Sequence, residues 1–157
     1  MKKLGKVLLG LSMFGGVVYL MNNMQMNLRE KEKKVGKFKD YYNIVSEWLA
    51  LKQEGKSLAE FFVENGYKTI AIYGMGELGN RLYEELKNTD IEVKYAIDQN
   101  LVSDYPELQI IESGSNVPRV DVMVVTAVFA FDDIYEKYEG MGPDQIVSLK
   151  DVVYWYN

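Results

Sequence analysis

The sequence predicts an α/β fold: a small doubly wound parallel sheet, of order 3-2-1-4-5, behind an N-terminal helical arm. Three observations carry that prediction. A short apolar run at 69–73 reads as a buried parallel strand, hydrophobic because both faces are covered, and 120–125, in the most hydrophobic stretch of the body, reads as a central strand. Stretches with helical periodicity alternate with these runs, which is the pattern of right-handed strand–helix–strand units. A complete G-x-G-x-x-G, Gly74-Met75-Gly76-Glu77-Leu78-Gly79, ends the first strand and opens the first helix of the sheet region.

The chain has 157 residues, enough for one domain with an appendage, and 48% are hydrophobic, enough for a real core. Its charge is unevenly placed. Residues 1–40 carry nine Lys/Arg against Glu30, Glu32 and Asp40, a net +6, whereas the remainder carries nine basic and twenty acidic side chains, a net −11. A basic arm on an acidic body argues against a nucleic-acid binder and suits a segment near anionic lipid. Cysteine and histidine are both absent, which excludes a disulfide framework, a thiolate zinc site and the commonest general base. No metal site is expected.

Three segments follow from this reading: 1–26, 27–66 and 67–157. In the first, fifteen residues from Val7 to Met21 lack charge, behind Lys2, Lys3 and Lys6. A helix of that length rises ~22 Å, short of a ~30 Å hydrocarbon core, and counting Leu4 and Gly5 brings it near a span. A membrane anchor at residues 4–21 is expected, with a surface-lying or buried helix as the alternative. A cleaved signal is disfavoured because "VVYLMNNMQM" offers no small-x-small site. Arg29, Lys31, Lys33, Lys34, Lys37 and Lys39 on the downstream side favour a body facing the cytoplasm, at the cell membrane or free in the cytoplasm.

The second segment is a helical neck. Val35, Phe38, Tyr42, Val45 and Leu49 form one stripe, broadened by Tyr41 and Trp48. Packing of this stripe on the chain's own domain is expected; a short two-stranded coiled coil is the alternative, with fewer than three full heptads behind it. Ser57-Leu58-Ala59-Glu60 has capping-box spacing and opens a short helix.

The sheet region then runs strand 69–73, helix with Leu78, Leu82 and Leu86 inward, and strand "IEVKYAID" ending at Asp98. A third strand is expected at 108–113, a central one at 120–125, a helix with Phe131, Ile134 and Tyr138 inward, and a last strand at 145–149.

Each residue of the glycine unit has a chemical job. Gly74 permits the turn, Gly76 lets a pyrophosphate approach the backbone, and Gly79 lets helix and strand pack. Met75, Gly76, Glu77 and Leu78 join the site because the helix N-terminus there presents free N–H groups and a positive dipole end that favour phosphate. Asp98, nineteen residues beyond Gly79, is placed to accept hydrogen bonds from a ribose, with Gln99 beside it. Thr126 and Ala127 end the central strand at the same sheet edge and complete the candidate cofactor-binding set. Glu77 is the discordant member, because its charge would repel a diphosphate unless it turns away. If a dinucleotide binds, Asp98 selects NAD over NADP by repelling a 2′-phosphate.

Catalytic groups are not in evidence. Tyr83-Glu84-Glu85-Leu86-Lys87 has Tyr-x-x-x-Lys spacing but lies on the helix after the glycine loop, where that pair does no chemistry. Asp132-Asp133 suits a helix start better than a metal.

The stretches "GYKTIAIYGMGELGNRLYEEL…VKYAIDQN" and "VDVMVVTAVFAFDDIYEKY…QIVSLKDVVY" resemble the small Rossmann-like domains of bacterial surface-polysaccharide proteins, including those preceding some sugar acyltransferases. The resemblance covers about residues 66–154 and implies a fold that binds NAD(P) or a nucleotide-sugar at Gly74, Gly76, Gly79 and Asp98. The chain departs from it by a hydrophobic arm and by having no attached catalytic domain. The expected function is thus a membrane-tethered module binding NAD or a nucleotide-sugar, an accessory or sensor in surface-polysaccharide metabolism. A homodimer or a glycan-enzyme partner is expected beside the nucleotide. Two alternatives stand: a minimal NAD-dependent enzyme completed by a partner or a second copy, and an interaction scaffold whose ligand site is empty.

Overall fold

The computed structural model describes residues 2–100 and 105–156; for residues 2–18 and 20 it describes the backbone alone. Two compact units divide the chain, Met1–Asn43 and Ile44–Asn157.

The first unit is helical. Helix α1 runs Lys2–Gln53 without a break, so arm and neck share one helix. The anchor expected at residues 4–21 falls almost wholly on side chains outside the described residues. Among the described residues, no helix is long and apolar enough to cross a membrane.

The stripe expected to pack on its own domain is exposed within α1. Val35 is 67% exposed, Phe38 71% and Tyr42 62%, and Val45 and Leu49 are exposed as well. Among the described residues of α1, those buried are Ile44, Trp48 and Leu51. Ile44 and Trp48 lie one residue before Val45 and Leu49, roughly 100° around the helix from them. A buried acceptor decides which stripe goes inward. Trp48 donates its Nε1–H to Glu85 Oε2 at 2.7 Å, and the same carboxylate accepts from the Ser57 hydroxyl and the Leu58 N–H at 2.9 and 2.8 Å. Lys52 completes the arrangement with an ion pair at 3.0 Å, and the Glu85 side chain is only 7% exposed.

That network also alters the expected cap. Helix α2, Ala59–Glu64, has Leu58 at its N-cap with no side-chain cap; one residue earlier the Ser57 hydroxyl donates to Glu85 and accepts the Ala59 N–H at 3.3 Å instead of the Glu60 N–H. Half of the capping box survives, as Glu60 reaches back to the Ser57 N–H at 3.3 Å. Phe61 and Phe62 make the buried side of α2.

In the second unit five strands form one sheet, β1 Thr69–Tyr73, β2 Glu92–Asp98, β3 Ile110–Glu112, β4 Val120–Val125 and β5 Pro143–Ser148. All pairs are parallel and the order is β3-β2-β1-β4-β5, the expected α/β topology. Helix α3, Glu77–Leu86, joins β1 to β2, and α4, Phe131–Tyr138, joins β4 to β5. Right-handed crossovers leaving the centre in opposite directions place α3 and α4 on opposite faces. A short α5, Leu149–Val153, follows β5, whose end falls one residue short of the expected Leu149.

Strand alternation divides the core. Ala71, Tyr95, Ile97, Met123 and Val125 meet Ile134 and Tyr138 of α4, and Ile70, Ile72, Ala96, Val122 and Val124 are fully buried as well. Leu78, Leu82 and Leu86 are all buried, as their spacing on α3 requires. At the amino edge of the sheet, Asp121 Oδ2 accepts the N–H groups of Lys68 and Thr69 at 2.7 and 2.8 Å, which fixes the start of β1 against β4.

Candidate functional site

Because β1, β2 and β4 are parallel and adjacent, their carboxyl ends bring Gly74, Asp98 and Thr126 to one edge. The loop leaves β1 at Gly74, whose φ of +95° suits glycine alone. Its N–H continues the ladder to Ile97 O at 2.8 Å. A Cβ at Gly74 would stand 2.9 Å from Thr126 Oγ1, and one at Gly79 would overlap the Gly74 carbonyl. Both glycines are therefore required by the fold itself.

Gly76 differs. Its φ of −75° and ψ of −163° are open to any residue, and a Cβ there would meet nothing within 4 Å. Among the described residues, no packing requires glycine at this position. It is exposed, at the N-cap of α3, beside the site where a ligand's phosphate would approach the backbone.

The first turn of α3 is open. No side chain caps it, and the helix ladder begins with the Asn80 N–H donating to Gly76 O at 2.9 Å. The preceding N–H groups of a helix have no intrahelical partner and form its positive end. The Glu77 carboxylate points along the helix to Arg81, with 2.7 Å between Oε1 and Nη2. The pair is exposed, and Arg81 offsets the acid beside the open turn. Leu78 is buried, so only its backbone can serve a ligand.

Asp98 already works within the chain. Oδ2 accepts the Met75 N–H at 2.6 Å and Oδ1 the Asn100 N–H at 2.8 Å. A carboxylate has about four lone-pair sites, so it retains capacity for a ribose hydroxyl. Thr126, 7% exposed, donates to the Gly74 carbonyl at 2.6 Å and lies 3.1 Å from Tyr73 O. Its hydroxyl thus pins the loop, and Ala127 backs it, its N–H 3.5 Å from a Cβ built on Gly74. Gln99 is exposed next to Asp98.

The sequence did not signal the neighbours on the α4 side. The hydroxyls of Tyr73 and Ser113 are 2.7 Å apart, with Lys137 Nζ 3.5 Å from Ser113 Oγ. Ser113 donates its N–H to the Asp98 carbonyl at 3.1 Å, which ties this group to the same edge. Strand-end position could have singled out Tyr73 and Ser113; nothing in the pattern ties Lys137 to them.

The other motif matches are structural. Tyr83 is buried against Tyr105 and donates to Glu107 at 3.0 Å, its hydroxyl pushed up to about 12 by burial and then by Glu107. Lys87 pairs with Glu84. Asp132 and Asp133 occupy the first turn of α4, and among the described residues no acidic cluster could hold a metal.

A five-stranded parallel sheet with a glycine turn between β1 and α3 fits a Rossmann-like α/β domain. No family model, curated protein or solved structure matches the chain.

Proposed function

We propose that the chain is a Rossmann-like binding module that takes NAD or a nucleotide-sugar at the carboxyl edge of its sheet, as an accessory or sensor of surface-polysaccharide enzymes. One observation carries the binding part: of the three motif glycines, Gly76 is the one that packing does not require, at a loop position where a side chain would stand in the way of a phosphate. The open first turn of α3 supplies N–H donors, the Met75 bond holds the loop, and Asp98 keeps acceptor capacity for a ribose. The polysaccharide setting rests on the sequence resemblance.

A second reading, an interaction scaffold with an empty site, is favoured by the engagement of both Asp98 and Thr126 within the loop. Calorimetry with NAD, NADP and a uridine-diphosphate sugar separates the two. Saturable binding that Gly76→Val removes supports the module, with NAD preferred to NADP. Absence of binding across the panel leaves the scaffold.

A further inference from the structure

The exposed face of α1 has the period of a helix–helix seam. Starting at Met21, every seventh residue is Met21, Leu28, Val35, Tyr42 and Leu49, the a positions of a heptad. The d positions are Met24, Lys31, Phe38 and Val45, so eight of nine seam positions are apolar across four heptads. Met21, Met24 and Leu28 are 51–59% exposed, as open as the downstream stripe. A strict a/d stripe is narrower than the face a helix turns to a globular core, and its complement is a second helix of the same period.

We infer that this seam pairs with the same seam of a second copy, antiparallel, about a dyad between Gly36 and Lys37. Charge selects this arrangement. In a parallel pair in register, Lys31 would face Lys31 within the seam, and Lys34 at g would flank Lys39 at e of the other copy. An antiparallel pair alternates a against d. Val35 then meets Phe38, Leu28 meets Val45, Met24 meets Leu49, and Lys31 lies over the ring of Tyr42. The flanking e positions bring Glu32 beside Lys39, twice by symmetry. Slipping one heptad either way sets Glu32 against Glu32 or Lys39 against Lys39. Only the central register pairs opposite charges. The N-termini leave such a pair at opposite ends, so this pairing and a shared bilayer span by both 4–21 runs are alternative states of α1. The inference does not depend on the nucleotide site.

The chain has no cysteine, which makes cross-linking direct. In non-ionic detergent, full chains carrying Leu28→Cys and Val45→Cys, mixed and oxidised, should give a covalent heterodimer, and neither variant alone should dimerise. In a parallel pair these positions lie ~25 Å apart along the helix, beyond disulfide reach. Sedimentation equilibrium should show a dimer weakened roughly three- to tenfold by Lys39→Glu and restored by adding Glu32→Lys. A parallel pair would instead tighten with Lys39→Glu, because the new acid flanks Lys34. A monomer at tens of micromolar, a Leu28→Cys homodimer, or tightening by Lys39→Glu overturns the inference.

Discussion

Asp98 accepts a 2.6 Å hydrogen bond from the backbone N–H of Met75, so the acid at the end of β2 holds the glycine loop in its turn. Loss of this bond leaves the part-buried Met75 N–H without its acceptor, whereas the exposed Asn100 N–H can turn to water. Asp98→Ala should cost roughly 1–3 kcal/mol, a charged acceptor being worth more than a neutral one. Denaturant unfolding measures it. Unchanged stability would mean that the bond contributes nothing to the loop.

Gly76 and Gly79 sit three residues apart and should answer substitution in opposite ways. Gly79→Ala drives a methyl into the Gly74 carbonyl, and overpacking of that kind costs about 1–3 kcal/mol or more. Gly76→Ala meets open space at an ordinary φ and should change stability by no more than about 0.5 kcal/mol. Parallel melting curves decide the matter. Equal destabilisation by the two would remove the argument that Gly76 is held for a ligand.

The sheet was legible because its signals are local. Ile70–Tyr73 and Val122–Val125 are apolar runs at the cores of β1 and β4, and the glycine turn marks where β1 passes into α3. The residues that set its edge were harder to read. Spacing placed Asp98 beside the loop, but its bond to Met75 spans twenty-three residues and has no sequence signature. The neck shows the same limit. Periodicity reveals that Val35, Phe38 and Tyr42 share a stripe without saying what covers it, and a second stripe through Ile44, Trp48 and Leu51 won the core. Ser57 shows it too: spacing placed it at the start of α2, where its oxygen accepts the Ala59 N–H, but not the proton it gives to a carboxylate twenty-eight residues away.

Asp121 gives the fold an acid sensitivity of known sign. The N–H groups of Thr69 and Lys68 hold its carboxyl below the usual range. A depressed acid stabilises the fold above its unfolded value, about 4, and that contribution is lost as pH falls through the lower folded value. Asp121→Asn should therefore be less stable than the natural chain at neutral pH, with the gap closing as the solution is acidified. Unfolding midpoints between about pH 2 and 7 test this. A gap that widens on acidification would reverse the assignment.

Glu85 binds the end of α1 to the sheet unit through one carboxylate shared by Trp48, Ser57, Leu58 and Lys52. Glu85→Ala leaves the Trp48 and Leu58 N–H groups without acceptors in a region that admits little water. The expected cost is roughly 2–4 kcal/mol, since each unsatisfied buried donor costs about 1–3 kcal/mol. Glu85→Gln should lose less. Its amide oxygen can still accept from Leu58, while its NH₂ group must face another donor. Lys52 is 47% exposed, so Lys52→Met should matter little, within about 1 kcal/mol. In guanidinium the three variants should lower the midpoint in the order Ala, Gln, Met, with the slope unchanged. Lys52→Met as damaging as Glu85→Ala would make the ion pair, rather than the hydrogen bonds to Trp48 and Leu58, the principal tie.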